Sequence, residues 1–396
     1  MVAGFLVSRV ALSISMFLFG MNAIRGINPR KWLKQRWWLI GIAWVAIYAL
    51  TYFWTEDKSN WGTRLEVKLP FLLLPLAFAF QPSFSVKQLQ IFTITAGLLF
   101  VGASLYSVSY LISDPAHYIH LYKQSHVLPT LAKNDHIRVS LSVVLFIIWS
   151  VYFWPLIQGK EARWIIGISV VLLVMYIHVL AAKSGLVSLY LFLIFWSLYI
   201  TFIKKKIAGL IIIAAIPLTV FLAIKCIPTF RERANYIDFT YVMYKIGDKS
   251  GMYGDIERLV SYKLSAKLIM EHPLTGVGTG DMQAEMNKCY DKFYPATPVE
   301  GRILPHNQFL VVALGCGIPA MLVFIIWVFM PLAGLRKNRQ SFFFFTVWVI
   351  LLIQLMIEPV LEVQFGVFVY LFFLLMQEHE LPVSDIRQIN KATEQA

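Results

Sequence analysis

Long apolar blocks restrict the fold of this sequence more than any other feature. They run to about 20 residues, the length of an α-helix that crosses the hydrocarbon core of a bilayer. Of the 396 residues, 58% are hydrophobic and only 14% are charged, whereas soluble domains carry about a quarter charged residues. The blocks are continuous rather than alternating, which excludes a membrane β-barrel. The sequence therefore predicts an all-α polytopic membrane protein, with a large soluble helical protein as the weaker alternative.

Charged breaks divide the apolar sequence into about eleven predicted spans. Basic breaks, such as 204–206, alternate with mixed breaks, such as 55–68, and the positive-inside rule places the basic set in the cytoplasm. The N-terminus is then external, which suggests a further helix upstream and a total of 11–12. The predicted spans lie near 2–24, 37–54, 69–80, 91–112, 138–158, 164–182, 186–203, 207–227, 308–333, 341–357 and 359–376.

One connection is far longer than the others and predicts a folded external cap, residues 228–305. It holds ten Lys or Arg and ten Asp or Glu residues. Its many aromatic residues favour folding over disorder. The predicted organisation is thus N-terminal membrane helices over 1–227, the cap, C-terminal membrane helices over 306–376 and a cytoplasmic tail over 377–396.

The cap contains a predicted amphipathic helix in the stretch 255–273, with Pro273 just past its end. Leu259, Leu264 and Leu268 recur at helical spacing and predict an apolar face, while Arg258 projects from a more polar face, toward either lipid headgroups or a ligand. The following stretch PLTGVGTGD frees the backbone for a turn or for phosphate binding. It does not match GxGxxG, so a Rossmann nucleotide site is rejected, and a plain turn is favoured.

Polar residues interrupt the apolar sequence at two further places on the predicted external side. Lys183, Ser184 and Gly185 separate two apolar blocks, and Lys183 there either snorkels to headgroups or faces an anionic ligand. Glu358 and Glu362 flank the last external turn. For these carboxylates we expect structural pairing with a nearby base, for example Lys183 or Arg64.

His306 begins the span after the cap, where a lone histidine is either structural or catalytic. Arg258, Lys183 and His306 belong to three separate elements that all end on one side, as a site for an anionic lipid-linked substrate requires. An imidazole can activate an attacking hydroxyl, and fixed cations can stabilise a diphosphate leaving group. The chain has no DxD motif for a metal–nucleotide-sugar mechanism, and its net charge of +13 is not read as a sign of nucleic-acid binding.

The segment from Arg258 to Ala320 resembles the O-antigen ligase/polymerase superfamily of bacterial inner-membrane glycosyltransferases. The family's loop helix opens with an arginine and ends in a proline–glycine turn, as here at 258–280. A histidine followed by Asn, Ser or Gln precedes a glycine about three turns later, matched by His306, Asn307 and Gly317. The family's final small or hydroxyl position is Ala320, a mild departure.

Outside this segment the resemblance is looser. The family commonly has a Ser-Arg-Gly step at an external helix break, where this chain has Lys183, Ser184 and Gly185. Lysine keeps the charge but lacks the bidentate fork of arginine. Arg233 resembles a basic position at the start of the loop.

The resemblance implies a GT-C-type bundle in the bacterial inner membrane, with a site facing the periplasm and no metal or other cofactor. An undecaprenyl-diphosphate-linked glycan would be the donor and lipid A–core or another glycan the acceptor. His306 would be the base, Arg258 and Lys183 would bind diphosphate, and the reaction would be inverting. Arg233, Asn307 and Arg64 complete the predicted substrate-binding residues.

Several alternatives stay open at this point. The same motifs serve ligases, polymerases that extend lipid-linked repeats, and protein-glycosylating enzymes, and we favour the ligase. A polyprenyl-glycan transporter would be expected to carry charged residues deep in several spans. A non-catalytic membrane scaffold needs no histidine at the edge of the cap.

Overall fold

The computed structural model describes residues 1–26, 36–124, 126–245, 254–335 and 339–378. Within these ranges the chain is helical and contains no β-strand, which confirms the predicted all-α class. Nearly all of the predicted tail lies outside the described residues.

The helices before the cap form most of the bundle. They are α1 (Val2–Val7), α2 (Arg9–Ala23), α3 (Arg36–Leu50), α4 (Lys58–Lys68), α5 (Pro70–Phe80), α6 (Val86–Ser113), α7 (Pro115–Tyr122), α8 (Leu131–Asn134), α9 (His136–Phe153), α10 (Lys160–Leu180), α11 (Lys183–Leu198) and α12 (Ala208–Cys226).

The cap is itself helical, and three membrane helices follow it. The cap helices are α13 (Pro228–Lys245), α14 (Gly254–Glu271) and α15 (Met282–Phe293), and the helices after the cap are α16 (Gln308–Phe329), α17 (Arg339–Ile357) and α18 (Gln364–Glu378).

Eight described helices are long and apolar enough to cross a membrane, and each coincides with a predicted span. Two other predicted spans, 69–80 and 359–376, correspond to the shorter apolar helices α5 and α18. The predicted span 2–24 is not one helix, because the extended backbone of Ser8 divides it into α1 and α2. The multi-pass character is confirmed. The long helices are Arg36–Phe53, Val86–Ser113, His136–Leu156, Lys160–Leu180, Lys183–Ile203, Ala208–Cys226, Gln308–Gly334 and Arg339–Ile357.

Burial separates central from peripheral helices. In the most apolar stretch of α9, 83% of the residues are buried inside the protein, against 11% for α12. From Val367 to Met376, α18 is also buried. Helices α9 and α18 are therefore central, and α12 presents its apolar surface outward, as a lipid-facing helix does.

The cap helices α14 and α15 share a small core with the first turns of α16. Leu264 and Leu268 of α14 pack with Met282 and Met286 of α15 against Leu314. A helix forms where one was predicted, but Leu259 does not belong to its buried face. It is 45% exposed, since the cap covers only the end of the helix that lies over α15 and α16.

The predicted turn after α14 docks on a break in α16. Gly317 has φ +86° and ψ 170°, outside the helical region. Its neighbour Ile318 donates its N–H to the Pro273 carbonyl at 2.8 Å. The N–H groups of Val277 and Gly278 in turn donate to the carbonyls of Leu314 and Gly315, at 2.8 and 3.1 Å. The prediction of a turn is confirmed, because the N–H groups of Val277 and Gly278 donate to carbonyls at the break in α16 and not to a phosphate.

Asp281 fastens the cap to the start of α4. Its two carboxylate oxygens accept hydrogen bonds from the backbone N–H groups of Glu56 and Asp57, at 2.7 and 2.8 Å. Carboxylate–amide bonds of this length are charge-assisted and strong. Lys68 of α4 in turn donates to Leu361 and Glu362 in the turn before α18. The cap, α4 and this turn therefore lie at one end of the bundle, which we call the cap end.

Candidate active site

Glu358 joins two of the predicted site residues through one buried carboxylate. It lies just after α17 and is 4% exposed. One oxygen accepts a hydrogen bond from Arg258 Nη2 at 2.9 Å, and the other lies 3.1 Å from His306 Nδ1. His306 and Glu358 lie 48 and 100 positions after Arg258 in the chain, yet the three side chains meet at one point. The two partners there stabilise the buried carboxylate of Glu358.

His306 is held in place by its backbone and by the residue after it. Its carbonyl accepts a hydrogen bond from the Tyr262 hydroxyl at 2.7 Å. The Asn307 side chain caps α16, accepting from the N–H groups of Phe309 and Leu310. The Asn307 amide also donates to the Met356 carbonyl at 3.1 Å. The side-chain oxygen of Asn307 therefore caps the helix, and its side-chain nitrogen binds a backbone carbonyl.

A cavity of about 130 Å³ lies against the Arg258–Glu358 pair. Three of the predicted cationic residues line it together, although they come from α11, α13 and α14. This arrangement brings positive charge from separate elements to one small volume. The lining residues are His136, Ile137, Ala182, Lys183, Ser184, Arg233, Tyr236, Arg258, Ile357 and Glu358.

The helix break predicted at Lys183 opens one wall of this cavity. Ala181 adopts a left-handed conformation between α10 and α11. Gly185 allows α9 and α11 to approach closely, because a Cβ there would lie 2.6 Å from Ser140 Cβ. Ala182 caps α11 without a side-chain hydrogen bond. The N-terminus of α11, which carries the positive end of the helix dipole, therefore meets the cavity beside Lys183.

Arg233 is buried, with 6% of its surface exposed. Its Nη2 donates to the His126 carbonyl at 3.2 Å, and its guanidinium lies 5.4 Å from the centre of the Tyr122 ring. These contacts fix the guanidinium at the edge of the cavity.

The local charges alter two carboxyl groups. Burial by itself raises the pKa of Glu358, but His306 and Arg258 outweigh burial and leave the pKa below its usual value. Burial raises the pKa of Glu257, and His306 and Arg258 oppose that rise only in part. His306 therefore has an ionised carboxylate on one side and a second carboxyl group nearby.

Sequence reasoning missed part of this site. His136 and Tyr236 line the cavity, and the Arg138 charge contributes to the lowered pKa of Glu358. The signal was present in the stretch HIR at the cap end of a predicted span, the same end as the Lys183 break. Glu257 carried a signal too, as the neighbour of Arg258 on the cap helix.

Arg64 does not line the cavity that Lys183, Arg233 and Arg258 share. It pairs with Glu362 at 3.3 Å, which confirms the predicted pairing of that carboxylate. Lys68 Nζ also donates a hydrogen bond to the Glu362 carboxylate at 2.8 Å, and the Lys68 side chain is fully buried. The sequence analysis missed Lys68, whose signal was a lone lysine directly before the apolar stretch 69–80.

No group of three or more His, Cys, Asp or Glu side chains in the described ranges is arranged to hold a metal ion. The polar groups around the cavity are instead mostly cationic, and cations repel a metal while attracting phosphate. The arrangement can bind an anion and place an imidazole beside it.

A bundle of apolar helices, a folded cap and a cavity lined by several cationic side chains define the class, a multi-pass membrane protein with a cationic cavity beside its cap. Residues 168–325 match the family model described as O-antigen ligase. The match covers less than half of the chain but includes the α11 break, Arg233, Arg258 and His306. It supports the O-antigen ligase-like superfamily and its ligase or polymerase activity. No curated protein matches the chain.

Proposed function

We propose that this protein is a glycosyltransferase that moves a glycan from undecaprenyl diphosphate to a hydroxyl of a lipid A–core acceptor. It would act in the bacterial inner membrane with the cap end facing the periplasm. The observation that carries the proposal is the Glu358 carboxylate, shared by Arg258 and His306 beside the cationic cavity. The family match supports the reaction class, and the site residues supply the chemistry.

The donor diphosphate would occupy the cavity lined by Lys183, Arg233 and Arg258. These side chains carry three positive charges, of which that of Arg258 is paired with Glu358, and the α11 N-terminus adds backbone N–H groups that favour anions. Negative charge develops on the diphosphate as its bond to the sugar breaks. Fixed cations held in place beforehand stabilise that charge most in the transition state, so the reaction needs no metal ion.

His306 would act as the general base on the acceptor. Its Nδ1 faces Glu358 at 3.1 Å, which leaves Nε2 to accept the hydroxyl proton, and its side chain is 25% exposed. The acceptor oxygen bonds to the anomeric carbon, and the bond from that carbon to the diphosphate oxygen breaks with its electron pair. One displacement inverts the configuration, and Glu358 stabilises the protonated imidazole.

A polymerase would use the same donor chemistry with a lipid-linked repeat as acceptor. The two activities therefore differ in the acceptor and not in the roles of Arg258, His306 and Glu358. Offering lipid A–core and lipid-linked glycan to the purified protein, each with the same donor, distinguishes them. Transfer to lipid A–core is the expected result.

The general-base role is tested by His306→Ala with purified protein and an undecaprenyl-diphosphate-linked glycan. We expect the transfer rate to fall about a hundredfold or more, the usual contribution of general-base catalysis, while donor binding persists. His272→Ala is the matched control, because His272 is exposed directly after α14 in the cap. Undiminished transfer by His306→Ala would remove His306 from the mechanism, and loss of donor binding would make it a donor-binding residue instead of the base.

The diphosphate role of Arg258 has its own test. Arg258→Ala should raise the donor KM about tenfold or more, since a charge-assisted contact is lost. Lys263→Ala on the same helix is the control, because Lys263 is exposed and does not line the cavity. Equal donor KM values for both variants would contradict the assignment.

A further inference from the structure

A second, larger cavity lies at the cap end of the bundle, bounded by α2, α4 and the turn before α18. Its volume is about 780 Å³. Two of its lining residues adjoin the proposed catalytic pair in sequence. Leu304 stands two residues before His306, and Glu362 stands four residues after Glu358. The cavity is therefore lined by the two chain segments that carry His306 and Glu358, yet it is separate from the cationic cavity.

The lining of this cavity is amphipathic. Met16, Leu69 and Leu73 provide apolar surface, and Arg9 and Arg64 provide positive charge, with further polar groups from α4. An apolar wall next to guanidinium groups suits a lipid with an anionic head group, because each part of such a molecule meets matching surface. A free sugar or a free nucleotide would leave the apolar wall unused.

The charge balance leaves Arg64 able to take an anionic ligand. Glu362 already receives Lys68 Nζ and Gln308 Nε2, each at 2.8 Å, so its charge is compensated without Arg64. Arg64 Nε is buried and forms no hydrogen bond within the described part of the chain. Arg9 is exposed and lies over the Phe365 ring. The carboxylate of Glu66 also lines the cavity, but its side chain is exposed.

We propose that this cavity binds the acceptor, an anionic glycolipid. The inference rests on the proposed function. The lipid body lies along Met16, Leu69 and Leu73, the charged head meets Arg9 and Arg64, and the acceptor hydroxyl reaches His306. The donor diphosphate occupies the cationic cavity at the same time. Separate cavities for the two substrates let nucleophile and leaving group stand on different sides of the sugar, as a direct displacement requires.

The test narrows the cavity without touching the ion pairs. Thr63 lines it, so Thr63→Trp should raise the acceptor KM about tenfold or more, and Arg9→Gln should do the same through a lost charged contact. The donor KM should stay within about twofold of the parent value. Ser59→Trp is the matched control, because Ser59 is exposed one helical turn away on α4 and lies outside the cavity.

Initial rates are measured with lipid A–core and, separately, with lipid-linked glycan as acceptor. A raised KM for whichever acceptor the parent uses supports the site and identifies the lipid. An unchanged acceptor KM in both variants overturns the inference and leaves the proposed function intact. If the parent transfers to neither lipid, the proposed function falls. Direct binding of lipid A–core to the parent but not to Thr63→Trp would then still support the site, and equal binding would overturn it.

Discussion

Glu358 shows how one buried carboxylate can organise a site. Desolvating a carboxylate is costly unless charged partners and hydrogen bonds compensate. Here Arg258 and His306 take one oxygen each. The same contacts that stabilise the carboxylate also fix the relative positions of a cation and an imidazole. Removing Glu358 would therefore disturb both stability and geometry, and these effects can be separated by their pH dependence.

Stability should depend on pH through Glu358. Its folded pKa is lowered, so its contribution is complete above the unfolded value of about 4.3 and is lost as the pH falls through the folded pKa. When the pH is lowered below the unfolded pKa, the midpoint of thermal unfolding of the parent should therefore fall further than that of Glu358→Gln. Tryptophan fluorescence during heating measures the midpoint.

The control for this pH experiment is Glu271→Gln, because Glu271 is exposed at the end of α14. Its acid-induced drop should equal that of the parent. Some drop remains in every protein, because Glu362 also has a lowered pKa despite its burial. A Glu358→Gln curve parallel to the parent curve would show that the Glu358 ion pairs do not contribute to stability.

The sequence predicted which charged residues gather at the cap end better than it predicted their partners. Span parity was enough to place Lys183, Arg233 and Arg258 together. It could not separate Arg64, because whether a cation faces a ligand or a carboxylate depends on side-chain contacts between distant segments. Asn307 is different, since an asparagine directly before an apolar run is also a helix-cap signal, and its side chain does cap α16.

At the scale of elements, the break in α16 explains how a long apolar helix admits the cap. Pro319 has no N–H and cannot donate to the Gly315 carbonyl, so the Gly278 N–H takes that place at 3.1 Å. The turn predicted after α14 supplies the backbone groups that the broken helix lacks. The sequence indicated the turn but not its docking, because pairing between segments about 40 residues apart leaves no periodic pattern.

Gly317→Ala should destabilise the protein by about 2 kcal/mol or more. The residue has φ +86°, which disfavours any side chain, and a Cβ there would overlap the Leu274 carbonyl. The thermal midpoint should fall, and proteolysis should increase between α14 and α15 as the turn separates from α16. Gly102→Ala is the control, because no atom lies within 4 Å of a Cβ at that helical position. Equal midpoints for the two variants would contradict the role of the break.

At the scale of the whole molecule, charge alternation was a better guide than span length. Eight predicted spans are full-length helices, while α2, α5 and α18 are shorter. Apolar composition alone could not show which helices are short. The residues of α18 are apolar because they are buried within the bundle, whereas those of a lipid-facing helix are apolar because they contact lipid. The alternation of basic breaks still assigns the cap and the cationic cavity to one side.

That orientation can be tested with engineered cysteines in a Cys226→Ala background, since Cys226 is exposed whereas Cys289 and Cys316 are buried. Lys288→Cys lies on the cap and Lys160→Cys at the opposite end of the bundle, and both lysines are exposed. In spheroplasts, a membrane-impermeant maleimide should label Lys288→Cys at once and Lys160→Cys only after detergent is added, because the basic connection stays in the cytoplasm. An unlabelled cytoplasmic thiol protein verifies that the membrane is intact. The reverse labelling order would place the cationic cavity on the cytoplasmic face, where a periplasmic acceptor could not reach it.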